Sequence, residues 1–204
     1  MFIRTKKFLL PLYAALLVCA PNAYAYEPGD WIVRVGAGTV DPKSNNGTVV
    51  SVDSGATLVF NGTYMFSSNL GIELLAAAPF SHDIKLAADG TKVGETKHLP
   101  PTLSLQYHFD TDGAISPYVG AGINYTLFFD EKTSGPLQGL ALDLDPSFGL
   151  ATQAGLDYEI SENMLLNFDM RWMSIETDAD VDGTFLETVK IDPMVYSLTF
   201  GWKF

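Results

Sequence analysis

Cysteine is almost absent: the 204-residue chain has one, Cys19, which excludes a disulfide framework and any metal site built on several thiolates. Basic residues are scarce too. Twelve Lys+Arg stand against 24 Asp+Glu, a formal net charge of -12, so no face can neutralise a nucleic-acid backbone and nucleic acid is not an expected partner. No Gly-Lys-Ser/Thr phosphate loop occurs, so any flux the protein supports follows a gradient. Past residue 25 no run approaches the roughly 20 apolar residues of a membrane helix. No longer window holds a 3.6-residue apolar period either.

The first residues read as a leader. Arg4, Lys6 and Lys7 precede an apolar run from Phe8 to Ala20 and a small-x-small site at Ala23-Tyr24-Ala25, the layout of a secretory signal peptide covering 1–25. Val18 is bulky where a lipoprotein site before Cys19 would want a small residue, so Cys19 is expected to leave with the leader. One domain, 26–204, remains; it is free of thiols, and nine bases against 24 acids give it a net charge of -15. Such a chain is exported and acidic.

What fills that domain is a period of two. From Thr102 to Phe109, Leu103, Leu105, Tyr107 and Phe109 alternate with Thr102, Ser104, Gln106 and His108. From Met194 to Phe204, Met194, Tyr196, Leu198, Phe200, Trp202 and Phe204 alternate with smaller or polar residues. The same pattern marks 31–39, 57–66, 70–78, 118–129, 148–158 and 164–175, and period two is the signature of strands with unlike faces. Eight strands follow. Their connections alternate between long (41–55, 80–98, 130–146, 176–187) and short (67–69, 110–116, 161–163). Long loops on one rim and tight turns on the other predict an all-β, eight-stranded antiparallel transmembrane β-barrel with short periplasmic turns and long extracellular loops.

A soluble barrel of the lipocalin kind is the rival. Its polar face would meet water and carry many charges, whereas here that face is mostly Thr, Ser, Asn, Gln and Gly with scattered Arg34, Glu73, Asp157, Asp169, Arg171 and Lys203. A narrow lumen suits that composition better. Trp31, Tyr64, Phe66, Tyr107, Phe109, Tyr125, Tyr158, Trp172, Trp202 and Phe204 fall near strand ends, where membrane-interface girdles belong.

Several ordered segments then carry a resemblance: Asp30-Trp31-Ile32-Val33-Arg34, 69–80 (Asn-Leu-Gly-Ile-Glu-Leu-Leu-Ala-Ala-Ala-Pro-Phe), His98-Leu99-Pro100-Pro101-Thr102, 118–125 (Tyr-Val-Gly-Ala-Gly-Ile-Asn-Tyr), Phe128-Phe129-Asp130 and Gly201-Trp202-Lys203-Phe204. From Gly29 to Phe204 the chain resembles the OmpW family of small Gram-negative outer-membrane barrels. That resemblance implies an outer-membrane location and passive passage of small hydrophobic molecules through a narrow, largely hydrophobic interior. Phe204, with Phe200 and Trp202, also resembles the C-terminal signal read by the barrel-assembly machinery, a role compatible with a girdle. The other partners expected are outer-membrane lipid, lipopolysaccharide and small hydrophobic solutes.

Within this frame the candidate lumen residues are Val59, Met65, Leu75, Phe128, Leu165 and Met173. They line a path for an apolar solute or pack a stabilising plug, since eight strands enclose only enough room for side chains. Pro79, Pro100 and Pro101 give no N–H to a ladder, so together with Phe80 and Leu99 they mark either a lateral exit between the third and fourth strands or strand ends at the rim. His82, His98 and His108 assemble no catalytic set with a nucleophile and an acid, so no enzyme activity and no cofactor is expected. Asp178-Ala179-Asp180-Val181-Asp182-Gly183 opens like a calcium loop, but Val189 stands where the closing Glu belongs, which favours a solvated acidic loop over a metal site. Competing functions are a structural, receptor or adhesion barrel displaying its loops, and a channel for small polar solutes.

Overall fold

The computed structural model describes residues 26–204; the leader read at 1–25 lies outside the described residues. In chain order the strands are β1 (Trp31–Asp41), β2 (Val50–Val52), β3 (Gly55–Met65), β4 (Leu70–Ala77), β5 (Phe80–Leu86), β6 (Lys92–Leu99), β7 (Thr102–His108), β8 (Ile115–Thr133), β9 (Leu142–Leu144), β10 (Ser147–Ser161), β11 (Met164–Met173), β12 (Glu176–Val181), β13 (Thr184–Lys190) and β14 (Met194–Lys203). Eight of these close a barrel in the order β1-β3-β4-β7-β8-β10-β11-β14, every neighbour antiparallel and β14 returning to β1. Closure leaves no barrel strand without a partner on either side. At the seam of the two chain ends, Trp31 and Phe204 exchange backbone bonds of 3.1 and 2.9 Å.

Alternation decides which face is which. Thr102, Ser104, Gln106 and His108 are buried inside, while Leu103, Leu105 and Tyr107 between them lie outside. On β14, Tyr196, Leu198, Phe200 and Trp202 point outward and Val195, Ser197 and Thr199 inward. The inner wall also uses glycine to make room. A Cβ on Gly155 would stand 2.4 Å from the Tyr118 ring, so only glycine lets that ring lie across β10.

The long connections differ from the expected loops, since most of their length is itself β structure. β5 and β6 form a hairpin, β2 adds to β5, and β6 runs beside the upper end of β8, from Leu99 opposite Leu127 to Gly94 opposite Thr133. β9, β12 and β13 make a separate three-stranded sheet. Backbone groups projecting beyond the membrane still need partners, and extra strands supply them. The acidic run is part of this. Asp178 to Val181 lie in β12, and Asp182 (φ 50) and Gly183 (φ 71) form the two-residue corner to β13, a pairing favoured in tight hairpins. Thr188 donates its hydroxyl to Asp178 Oδ1 at 2.6 Å and the Ala141 N–H donates to Asp182 Oδ1 at 2.7 Å, so those carboxylates hold a fold in place.

Candidate functional site

The barrel interior has two levels. In the periplasmic half it is filled by charges that the sequence showed only as scattered. Arg34 donates to Asp157 through Nε (3.2 Å) and Nη2 (2.7 Å), and through Nη1 to Thr63 and Asn61 at 3.0 and 3.3 Å. Tyr26 and Asn167 donate to the same carboxylate at 2.6 and 2.8 Å. One step higher, Arg171 Nη2 meets Glu73 Oε1 at 2.5 Å and its Nε lies 3.4 Å from Asp169. Gln106 donates to Glu73 and Tyr118 to Asp169, both at 2.9 Å. All of these side chains are buried. The belt spans the bore from wall to wall, and a closed ring of paired charges of this kind is a plug.

Above it the interior turns apolar. Val40, Val59, Leu75, Met173 and Val195 continue upward into Phe80, Ile84, Val93, Leu144, Ala179 and Val189 as one cluster. Its upper part is a vestibule between the two loop sheets, with Val50, Ile84 and Val93 on one side and Leu144, Ala179 and Val189 on the other. Little space is left between them: the free volume is about 30 Å³, so a solute must part these side chains to enter.

An aromatic slab forms one wall of the vestibule. His82 and His98 stack with ring centroids 4.8 Å apart and planes 5° apart; Phe80 stacks on His98 at 5.3 Å, and Phe128 leans on it at 5.9 Å. Sequence position gave no sign of this. Pairing of β5 with β6 sets His98 opposite Phe80 and beside His82. Burial disfavours a charge on either imidazole: it pushes His82 below the usual histidine range despite the Asp53 carbonyl, and His98, which also faces His82, down to about 3.

The wall itself has a gap at this level. The β4–β7 ladder runs from Leu70 opposite Tyr107 only to Leu75 opposite Thr102, and the next pair across is Phe80 opposite His98. Between them Ala76 to Pro79 and Leu99 to Pro101 share no ladder pair. Each side is nonetheless held by its other neighbour. Ala76 and Ala77 pair with Phe60 and Val59, the Ala78 N–H donates to Leu58 O, Leu99 pairs with Leu127, and the Tyr125 N–H donates to Pro101 O. The ladder pairs missing from these two stretches are those across the seam between them.

Of the residues singled out from sequence, Val59, Leu75 and Met173 lie in the upper cluster with Phe128 packed at its margin, whereas Met65 and Leu165 join Tyr26 and Ile32 in a second cluster at the periplasmic end. The charge belt separates the two groups, so the six form no single path. Phe80 is buried in the upper cluster, Leu99 and Pro101 are half-buried, Pro100 is buried and Pro79 exposed. Phe200, Trp202 and Phe204 lie on the outer face. His108 sits inside near the periplasmic rim, 3.2 Å from Gln106 Oε1. No group of three or more potential metal ligands occurs among the described residues.

A closed eight-stranded antiparallel barrel, apolar outside and polar or plugged within, is an outer-membrane β-barrel protein of a Gram-negative cell. Residues 27–204 match the family model described as "OmpW family", and the chain belongs to that family. It is 40% identical to Outer membrane protein W of Vibrio cholerae over 93% of this chain and 95% of that protein. The crystal structure of the outer membrane protein OprG from Pseudomonas aeruginosa superposes with a TM-score of 0.79 at 37% identity, covering 90% of this chain and 99% of that one. A more distant relative, 24% identical over 84% of this chain and 77% of its own length, is the Dibenzothiophene metabolism operon protein PahQ of Pseudomonas aeruginosa.

Proposed function

We propose that the protein admits small hydrophobic molecules passively through the outer membrane and releases them sideways into the bilayer. The observation that carries this reading is the coincidence of floor and gap: the apolar vestibule ends on the charge belt, and the unpaired stretch between Leu75–Thr102 and Phe80–His98 opens at that same level. An apolar solute that enters between the loop sheets meets buried ion pairs below, where desolvating it gains nothing. The lower-cost route is through the wall. Phe80 and Leu99 flank that route with apolar surface, and Pro79, Pro100 and Pro101 leave it without three N–H donors. A relative whose name ties it to dibenzothiophene metabolism fits a solute of this kind. A polar-solute channel would instead need the belt of Arg34, Asp157, Arg171 and Glu73 to part. On the outer face, Phe200, Trp202 and Phe204 are the proposed signal for the barrel-assembly machinery, and lipid and lipopolysaccharide are the proposed neighbours of the wall. Catalysis forms no part of this reading.

The test uses vesicles whose outer leaflet is lipopolysaccharide and follows naphthalene uptake. Replacing Pro100 or Pro101 by Ala is expected to slow it while heat-modifiable gel mobility stays intact, as is joining cysteines at Ala77 and Leu99 with a short cross-linker. Undiminished uptake by a folded, cross-linked barrel would overturn the lateral exit.

A further inference from the structure

The vestibule wall carries polar atoms that no part of the fold uses. Resting on the uptake reading above, we propose that His82, with His98 beside it, is a recognition point for a hydrogen-bond donor on the solute. The preferred cargo is then an apolar molecule bearing one hydroxyl or amine N–H, such as a phenol or a fatty alcohol, over a plain hydrocarbon.

The tautomer of His82 is set by its backbone neighbour. Its Nδ1 lies 2.6 Å from the backbone carbonyl oxygen of Asp53. A carbonyl only accepts, so Nδ1 carries the proton and Nε2 of the neutral ring is a bare acceptor. That Nε2 is buried and has no hydrogen-bond partner, and the whole residue is 2% exposed. The neighbouring His98 cannot satisfy it. The two rings lie parallel within 5°, so any N–H in the plane of one ring runs alongside the other instead of toward it. His98 Nε2 is itself buried and unpartnered; neither of its nitrogens is pinned to a carbonyl, so it can present a donor or an acceptor to match the cargo.

The other polar groups lining the vestibule are already committed. Thr177 donates its hydroxyl to Asp145 O at 2.8 Å, and Thr96 to Lys97 O at 3.3 Å. Among the described residues of this wall, the two imidazole Nε2 atoms are what remains to be met by a solute. The charged groups around them face away from the vestibule in ion pairs: Asp53 with Lys85, and Asp83 with Lys92. A buried acceptor left unmatched costs free energy, and a ligand that supplies the donor recovers it. Phe80 and Phe128, both against His98, offer flat apolar surface for an aromatic or chain body.

Three probes of matched shape test the proposal in the same vesicles: naphthalene, 1-naphthol and 1-methoxynaphthalene, of which only 1-naphthol has a donor. Each probe is compared between the native protein and His82→Phe, which keeps a ring in the slab and removes the acceptor, so differences in simple partitioning cancel. The expected result is about a tenfold loss of saturable 1-naphthol uptake with little change for the other two. Equal rates in both proteins for all three would sink the recognition point while leaving the route standing. If uptake of all three falls together, the substitution has damaged the route, and the native protein decides. Its His82 ¹⁵Nε2 resonance should move with 1-naphthol and stay put with 1-methoxynaphthalene; an unmoved resonance overturns the proposal. If no probe crosses the native barrel, the uptake reading fails, and the same resonance still judges the binding site separately.

Discussion

Arg34 and Asp157 stand 123 positions apart in the chain, yet two hydrogen bonds of 3.2 and 2.7 Å join them across the bore, with neither side chain exposed. β11 and β14 separate β1 from β10 in the wall, so this contact ties strands that are not neighbours together across the bore. It is a brace as well as a plug.

Replacing Asp157 by Asn should destabilise the barrel by about 3–5 kcal/mol, because the Arg34 charge would stay buried without its counter-ion. The double variant Arg34→Met, Asp157→Leu should recover much of that loss, since no charge is then stranded. Urea unfolding in lipid vesicles, followed by heat-modifiable gel mobility, measures both. A double variant no more stable than Asp157→Asn would show that the brace acts through something other than its charge pair.

Inside and outside can be separated by single substitutions. Leu105 and Leu198 are 52% and 56% exposed on the outer wall, and Arg at either place should cost about 2–4 kcal/mol near the bilayer middle and lower outer-membrane yield. Exchange of the inward Ser104 or Ser197 for Ala should be mild. Equal losses at both parities would contradict the assigned faces.

Acid should loosen the β5–β6 hairpin before it unfolds the barrel. An opened hairpin gives the imidazoles their ordinary pKa of about 6.5, whereas in the closed one burial holds His98 near 3 and His82 also below the ordinary value. The folded value is the lower one, so the stability is present above about pH 6.5 and drains away as pH falls toward 3. At pH 5, His98 alone should favour opening by about 2 kcal/mol. Nearby Asp53 and Asp83 oppose this by favouring the charged form of His82. Hydrogen exchange of the β5 and β6 amides should therefore quicken between pH 7 and pH 5, after correction for intrinsic rates, and His98→Phe should blunt the change. A hairpin equally protected at both pH values would remove the histidine explanation.

The eight barrel strands, their inward and outward faces and the alternation of long and short connections were all written in the sequence. A strand half exposed to lipid must place an apolar residue at every second position, and that period is local. Thr102 to His108 carries it within seven residues. Two further things were local in form and still misleading. The run from Asp178 to Gly183, without a closing Glu, reads as a solvated acidic loop, but pairing with β13 and the backbone at Asp182 and Gly183 make it a strand and a hairpin corner. The connection 80–98 reads as a long loop, although Phe80, His82 and Ile84 alternate with Ser81, Asp83 and Lys85 along β5; so short a period belongs here to a hairpin above the membrane and not to a wall strand.

The charge belt, the histidine stack and the gap depended on tertiary structure. Arg34 meets Asp157, and Arg171 meets Glu73, only because closing the barrel at a fixed stagger brings distant strands to one height. Prolines 79, 100 and 101 announced missing donors in the sequence, yet whether a neighbour would cover the place depended on where β6 ran along β8. His82 and His98 became a pair through the β5–β6 register. Periodicity is a property of a few consecutive residues, and so it is legible in one dimension; register, stagger and closure are relations between segments, and the chain acquires them only when it folds.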